Sequence, residues 1–568
     1  MRFMSFPHPL GAVPLVLVVC LQLCCAVVAK AQSSEASGTG TTYYVSPTGD
    51  DLNSGIAPDA PWRSLERIQQ SVYNAGDSIL LEGGKTFVGC LQISRGMLRG
   101  TAERPVTIGA YGDGKFEIKS NCAGRLVAAI DIVGASGVVV QDCTLRGNGG
   151  KTPFGVWIQN PYDNDAARNI TVRRCDISGF FTTSPGQNGA EIFVTGHPGA
   201  GLDGVNVIDN VLHGSDGPTS PDNNGLYGFG RDKNVRNILY QGNVIYDIGG
   251  RPGGTNGADG NGMIANGVTG GLIQNNIAYN LGANVDTCGG PSGFWAYSSS
   301  HIVIQFNEVY NAKPSKFVKG CDWDGFDLDG YVTDSVLQYN YAHDNWGSGF
   351  AAYIDGEWGR NIIRYNVAVN NATSWGASYF GNIVIARGAD APQLSIYNNT
   401  LISNGPSNTT AGISIQGNPK GAIIANNLIV ALNGANYINT GSELPEVQIL
   451  SNSYYLTDQF AIRWRDRNYT NLDTWRQATG SETLDGRSTA FTDDPQIDTT
   501  ALGEICGGYK RSCPRAALHV SQKLMGRGID LTKPPFNLDV GSRDYFGNKI
   551  PQSGSGTGYG IGAVAVDK

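Results

Sequence analysis

From its second hundred residues onward the chain repeats one hydrophobic pattern. An alternating apolar stretch leads to Asn or Cys and then to a second apolar pair: "VVVQDCTLRG" from Val138, "ITVRRCDISG" from Ile170, "VNVIDNVLHG" from Val205. It returns as "ILYQGNVIYD", "GLIQNNIAYN", "IVIQFNEVYN", "SVLQYNYAHD", "IIRYNVAVNN", "LSIYNNTLIS" and "AIIANNLIVA". The marker residue falls at 143, 175, 210, 243, 276, 307, 340, 366, 398 and 426, at spacings of 26 to 35 residues. Period-two alternation bounded by Gly, Asn and Asp predicts short strands. A repeat this short, without helical periodicity inside it, is one coil of a parallel β-helix and not a propeller blade. The recurring Asn at 210, 243, 276, 307, 340, 366, 398 and 426 predicts a stacked ladder at a coil corner. Cys143 and Cys175 share that column, and both a bridge and a simple stack are open.

The expected fold class is therefore all-β: a right-handed parallel β-helix over residues 85–435. A solenoid exposes an edge at each end, so caps are expected at 32–84 and 436–568. In the first, "WRSLERIQQSVYN" predicts an amphipathic helix over 62–74, with Trp62, Leu65, Ile68 and Val72 on one face. The second is irregular.

Before the first cap, Arg2 and a short apolar run ending in "AKAQ" describe a secretory signal peptide over 1–31, cleaved after Ala31. Export allows disulfides. Cys90, Cys122, Cys143, Cys175, Cys288, Cys321, Cys506 and Cys513 remain after cleavage. Local spacing ranks Cys506–Cys513 first, then Cys288–Cys321 and Cys90–Cys122. The formal net charge of −8 argues against a nucleic-acid partner. No other run is long enough to span a bilayer, so a secreted or periplasmic monomer is expected.

Aligning the coils on a glycine upstream of each Asn gives "GAEIFV", "GLYGFG", "GFWAYS", "GFDLDG" and "GFAAYI". Alternation sends Ala190/Ile192, Leu226/Gly228, Phe294/Ala296, Phe326/Leu328 and Phe350/Ala352 inward. It sends Glu191/Phe193, Tyr227/Phe229, Trp295/Tyr297, Asp327/Asp329 and Ala351/Tyr353 outward. The result is an aromatic strip with carboxylates in its middle. Exposed aromatics in a row are costly unless they bind something, and sugar rings offer flat C–H faces to pack on them.

Asp327 and Asp329 share one strand face, so the pKa of one should rise. A protonated acid beside an ionised carboxylate suits glycoside hydrolysis. His343, Asp344 and Glu308 are expected in support. Glu191, Tyr227, Trp295, Tyr297, Trp323, Trp346, Tyr353, Glu357 and Lys313 are the expected substrate contacts. Asp322, Asp324, Asp327 and Asp329 also offer oxygens for Ca²⁺; no other cofactor is expected.

"YYVSPTGDDLNSG", "PWRSLERI", "AGDSILLEGG", "RPVTIGAYGDG" and the tail "RDYFGNKIPQ" with "GYGIGAVAV" resemble secreted right-handed parallel β-helix proteins of the pectate-lyase-like superfamily. "IVIQFNEVYNAK", "FDLD" and "LQYNYAHDN" resemble its glycoside-hydrolase-like subgroup. The resemblance implies a polysaccharide-degrading hydrolase. The same fold also serves lyases, uronate epimerases and non-catalytic binding proteins. Outward strands without Lys or Arg disfavour an acidic substrate.

Overall fold

The computed structural model describes residues 40–564, apart from 123–125, 183–187, 215–221, 253–258, 287–289, 317, 319–321, 374–379, 389–392, 406–409, 442–445, 457–459, 466, 499–517, 519–520 and 551–558. The expected signal peptide, Cys288–Cys321 and Cys506–Cys513 lie outside the described residues.

Three parallel sheets of 14, 13 and 14 strands run the length of the molecule, each coil adding one strand to each sheet in turn. Sheet I runs from Thr42–Val45 to Gln448–Leu450 and sheet II from Thr86–Gly89 to Ser453–Leu456. Sheet III runs from Leu91–Ser94 to Ile462–Trp464, where Arg467–Tyr469 closes it antiparallel. This is the expected right-handed parallel β-helix. Register keeps like residues in line, as in Val138↔Ile170 and Ile170↔Val205 of sheet I. The inward rows, such as Ile177, Leu212 and Ile245 on sheet II and Leu226, Phe294 and Phe326 on sheet III, are fully buried. Each such side chain contributes about 1.5–3 kcal/mol.

The Asn ladder stands at the corner between sheets I and II. Asn243 donates its backbone N–H and Nδ2 to Asn276 Oδ1, both at 2.9 Å, and Nδ2 also reaches Val207 O. The same bonds link Asn276, Asn307, Asn340 and Asn366. After Asn366 the ladder passes through Asn399, Asn427 and Asn452 and ends on Glu482 Oε1. Asn398 and Asn426, expected as rungs, sit one position early in left-handed backbone conformations and bond to the C-terminal segment instead. A second ladder, Asn345–Asn371–Asn382, ties down the corner between sheets II and III.

Both expected caps shrink. Sheet I already includes Thr42–Val45 and Ser78–Glu82, inside the stretch assigned to the first cap. The helix is only Leu65–Gln69, N-capped by Ser64, whose hydroxyl accepts the Arg67 N–H. Val72 is 50% exposed, and Tyr73 fills the core position behind it. At the other end, strands continue beyond 435 to Tyr469. The helix Leu472–Thr479 then buries Trp475 against Trp464 and Tyr454. The described residues between Leu518 and Val564 return along the outer faces of sheets I and II, packing on Tyr365, Tyr397, Val369, Ile402 and Val430.

Cys90–Cys122 and Cys143–Cys175 are disulfides, so the shared Cys column is bridged. Two bridges fit an oxidising compartment. Among the described residues no helix is long and apolar enough to cross a membrane.

Candidate functional site

Outward residues of sheet III form two rows. Backbone pairing lines up Asp131, Trp157, Phe193, Tyr227, Ile264, Trp295, Asp327 and Ala351 in the first. The second contains Thr195, Phe229, Asn266 and Tyr297, and the Asp329 N–H continues it by bonding to Ala296 O. The aromatic strip with acids in its middle is therefore real.

Its first coils differ from expectation. Phe193 pairs with Tyr227, which places Glu191 opposite Gly225. The glycine alignment slips by two residues there. Glu191 is fully buried, its Oε1 accepting the Phe180 N–H at 3.4 Å. It is a structural residue and not a remote subsite. Phe154, Ala190, Phe193, Tyr227 and Ile264 close into an apolar cluster, and Tyr227, 8% exposed, is withdrawn from solvent by it. Open surface returns at Phe229, Asn266, Trp295 and Tyr297.

The strand Asp324–Leu328 carries the acids because its neighbours leave room. Asp327 faces Ala351, and Phe326 and Leu328 alternate with it into the core. Asp324 is fully buried and structural: it accepts from the Ser348 N–H and, at 3.1 Å, from the Tyr353 hydroxyl. Asp327 is 4% exposed and its Oδ1 has no hydrogen-bond partner among the described residues. Burial, followed by the charges of Asp329, Asp324 and Asp322, pushes its carboxyl well above the usual range. Asp329 is half-buried. Burial raises it to about 6, against the opposing pull of the Gly330 N–H and the Arg387 guanidinium. Beside Asp327, Trp295 buries an Nε1–H that also lacks a partner among the described residues.

Arg387 is the residue that sequence reasoning missed. It follows the strand Ile383–Ala386, and its guanidinium lies 5.4 Å from the Tyr353 ring centroid. It lowers the pKa of both Asp327 and Asp329. The outward positions from Glu191 to Tyr353 lack cations, but the turn after the next strand of the sheet supplies this one. The "GNIVIARG" stretch held the signal, because Arg387 comes one residue after the outward position of Ala386.

No family model matches the chain. Over 458 aligned residues the chain is 24% identical to the Lacto-N-biosidase of Bifidobacterium longum subsp. longum, covering 65% of this chain and 28% of that protein. The chain thus spans little more than a quarter of the curated relative it matches. Among solved structures it is similar to the GH136 lacto-N-biosidase from Eubacterium ramulus, with 17% identity, 70% of this chain and 68% of that chain covered, and a TM-score of 0.48. It is also similar to a mannuronan C-5 epimerase A-module from Azotobacter vinelandii, with 18% identity, 75% and 100% covered, and a TM-score of 0.42. These are β-helix proteins, the class to which three stacked parallel sheets already assign this chain.

Several expected site residues lie elsewhere. His343 and Glu308 project from sheet II, not sheet III. His343 Nε2 lies 3.1 Å from Glu308 Oε1 and Nδ1 lies 2.8 Å from Asp344 Oδ2. Burial opposes a charge on His343, but these two carboxylates outweigh it and raise its pKa. The ring ends a stack of His213, Tyr246, Tyr279 and Tyr310 spaced about 5 Å apart. This triad braces one sheet and is not aimed at the Asp327 cluster. Trp323 is fully buried, its Nε1–H donating to Gly282 O, so it belongs to the core and does not wall the groove. Trp346 is partly buried and packs against the core. Lys313 is exposed just beyond the strand Glu308–Ala312, and Glu357 is exposed in the turn after Tyr353. Among the described residues no three His, Cys, Asp or Glu side chains are grouped to hold a metal ion.

Proposed function

We propose that the protein is a glycoside hydrolase, working outside the cytoplasm, with Asp327 and Asp329 at its catalytic centre. The observation that carries this reading is the pair itself: two carboxyls on one outward strand face, Asp327 pushed by burial well above the usual carboxylate range and Asp329 raised by burial to about 6. Asp327 supplies the proton to the departing glycosidic oxygen. Asp329, ionised above its pKa, attacks the anomeric carbon or takes a proton from the attacking water. The unpartnered Trp295 Nε1–H and Asp327 Oδ1 suit hydroxyls of a bound sugar. Trp295, Tyr297 and Phe229 supply ring surface along the groove. The sequence relative named Lacto-N-biosidase makes a lacto-N-bioside the first oligosaccharide to try.

Arg387 favours a second reading, a lyase or epimerase on an acidic polysaccharide, because a guanidinium can hold a uronate carboxylate. One experiment separates the two. The purified protein and its D327N and D329N variants are incubated with p-nitrophenyl lacto-N-bioside and with β-glucan, xylan, galactan and pectate. New reducing ends without ultraviolet absorbance, lost in both variants, support hydrolysis. An unsaturated uronide absorbing in the ultraviolet identifies a lyase, and no turnover of any member removes the hydrolase reading.

A further inference from the structure

Tyr331 lies two residues beyond Asp329, in the turn that leaves sheet III, and is 41% exposed. Three features hold it there. Its backbone is left-handed, with φ of 60°, a costly conformation for a bulky residue. Its N–H donates to Asp355 O at 2.8 Å. Its ring lies on Gly356 of the next coil, where a Cβ would sit 2.0 Å from Tyr331 Cε1. Gly356 itself has φ of 62°, so its lack of a side chain serves both the turn and the ring above it. Tyr297, in the same row as Asp329, meets the Tyr331 ring nearly at right angles with centroids 6.0 Å apart.

Tyr162 provides an internal comparison. It is equally exposed and also lies on a left-handed glycine, Gly134, in the turn after the strand Phe154–Asn160. The Arg95 guanidinium approaches that ring, 5.7 Å from its centroid, and is itself paired with Asp165. Tyr162 thus has a structural partner, five strands from the carboxylates along sheet III, or roughly 24 Å. Tyr331 has no such cation among the described residues. An aromatic side chain fixed in place but left uncovered loses little freedom when something stacks on it.

We propose that Tyr331 is a sugar-stacking platform at the lip of the groove, forming the subsite next to Asp329. The proposal deepens the glycoside-hydrolase reading and rests on it. The Gly356 floor and the strained backbone aim the ring, and its open surface takes the C–H face of a pyranose.

The test uses full-length protein and the oligosaccharide or polysaccharide turned over fastest in the panel above. Tyr331→Ala is expected to raise KM on the order of tenfold with kcat nearly unchanged, and Tyr331→Phe to restore the wild-type KM. Gly356→Ala should displace the ring and raise KM similarly, yet add little when combined with Tyr331→Ala. Thermal melts check that each variant is folded. If Gly356→Ala fails to fold, Tyr331→Phe against Tyr331→Ala decides. Binding without turnover is read separately, in native gels containing β-glucan, xylan, galactan or pectate. There the inactive D329N parent should be retarded and D329N/Y331A much less so. A wild-type KM in Tyr331→Ala, a loss confined to kcat, or equal gel mobility of parent and double variant overturns the proposal. If the wild-type protein hydrolyses no member of the panel but gel retardation still depends on Tyr331, the hydrolase reading has failed and the platform has not.

Discussion

Trp295 pairs with Asp327 across neighbouring strands of sheet III, and each buries a polar atom, Nε1 and Oδ1, that no described residue satisfies. Unsatisfied buried groups cost about 1–3 kcal/mol each. Trp295→Phe removes one of them while keeping an aromatic ring. The protein should melt at the same temperature or higher, while its affinity for the oligosaccharide falls. A melt lowered by several degrees would assign Trp295 to the structure and not to the ligand.

Asp327→Asn and Asp329→Asn should each reduce kcat by at least a hundredfold without unfolding the protein. The wild-type rate should rise with pH through about 6, as Asp329 ionises, and fall again at higher pH as Asp327 loses its proton. A profile that is flat across this range would show that neither carboxyl acts on the substrate.

The same shift affects folding. Asp329 has a pKa of about 6 in the native state and an ordinary carboxyl value when unfolded, so between those values the native state holds more protons. Stability should therefore fall as pH rises from about 4 to 6, and Asp327 extends the loss to higher pH. In D329N that decline should be shallower, as read by urea midpoints across the window. An equal slope in wild type and variant counts against the raised Asp329 carboxyl.

Asn340→Ala removes an amide that donates to Ile304 O and Asn366 Oδ1 and an oxygen that accepts from Asn307. Ile304 O and the Asn307 N–H on the preceding coil lose buried partners, and Asn366 Oδ1 on the next loses one of its donors, so a loss of about 2–4 kcal/mol is expected in chemical denaturation. Asn398→Ala leaves the ladder intact and should instead loosen the C-terminal segment, read as faster proteolysis after residue 518.

Calcium chelation provides a simple check on the acidic cluster. Asp324 already accepts from Ser348 and Tyr353. Dialysis against EDTA should leave turnover within about twofold, whereas a loss reversed by Ca²⁺ would reassign Asp322, Asp324, Asp327 and Asp329 to a cation site.

The coil repeat was legible because burial repeats it. Every turn must send the same apolar rows inward, and a corner Asn must satisfy the same backbone atoms. Where sequence offers two equivalent residues, the pattern cannot choose between them. The doublets Asn398–Asn399 and Asn426–Asn427 show this, since only the second of each pair is a rung. The two-residue slip at Glu191 has a similar cause: Gly189 mimics the recurrent glycine, but Glu191 occupies that place. Asp327 and Asp329 were readable because they break an apolar row. Arg387 left a signal in its place one residue after an outward position, but its approach to the two acids and the burial of Trp323 were not readable, since both depend on how turns from separate coils fold over one another. The return of residues 518–564 had no period to read.

That return has a consequence for when the molecule can finish folding. Elsewhere each strand meets a partner about one coil away in sequence, so winding can follow synthesis from the N-terminus. The last coils break this rule. The Tyr339 hydroxyl donates to Arg543 O across 204 residues, and Asn398 Nδ2 reaches Gly560 O across 162. Until those distant segments emerge, Val367, Val369, Ile402 and Val430 remain wet and able to capture other chains. A solenoid that could otherwise fray from its trailing edge is thereby clasped shut, and its final coils should fold and unfold together with the chain's end.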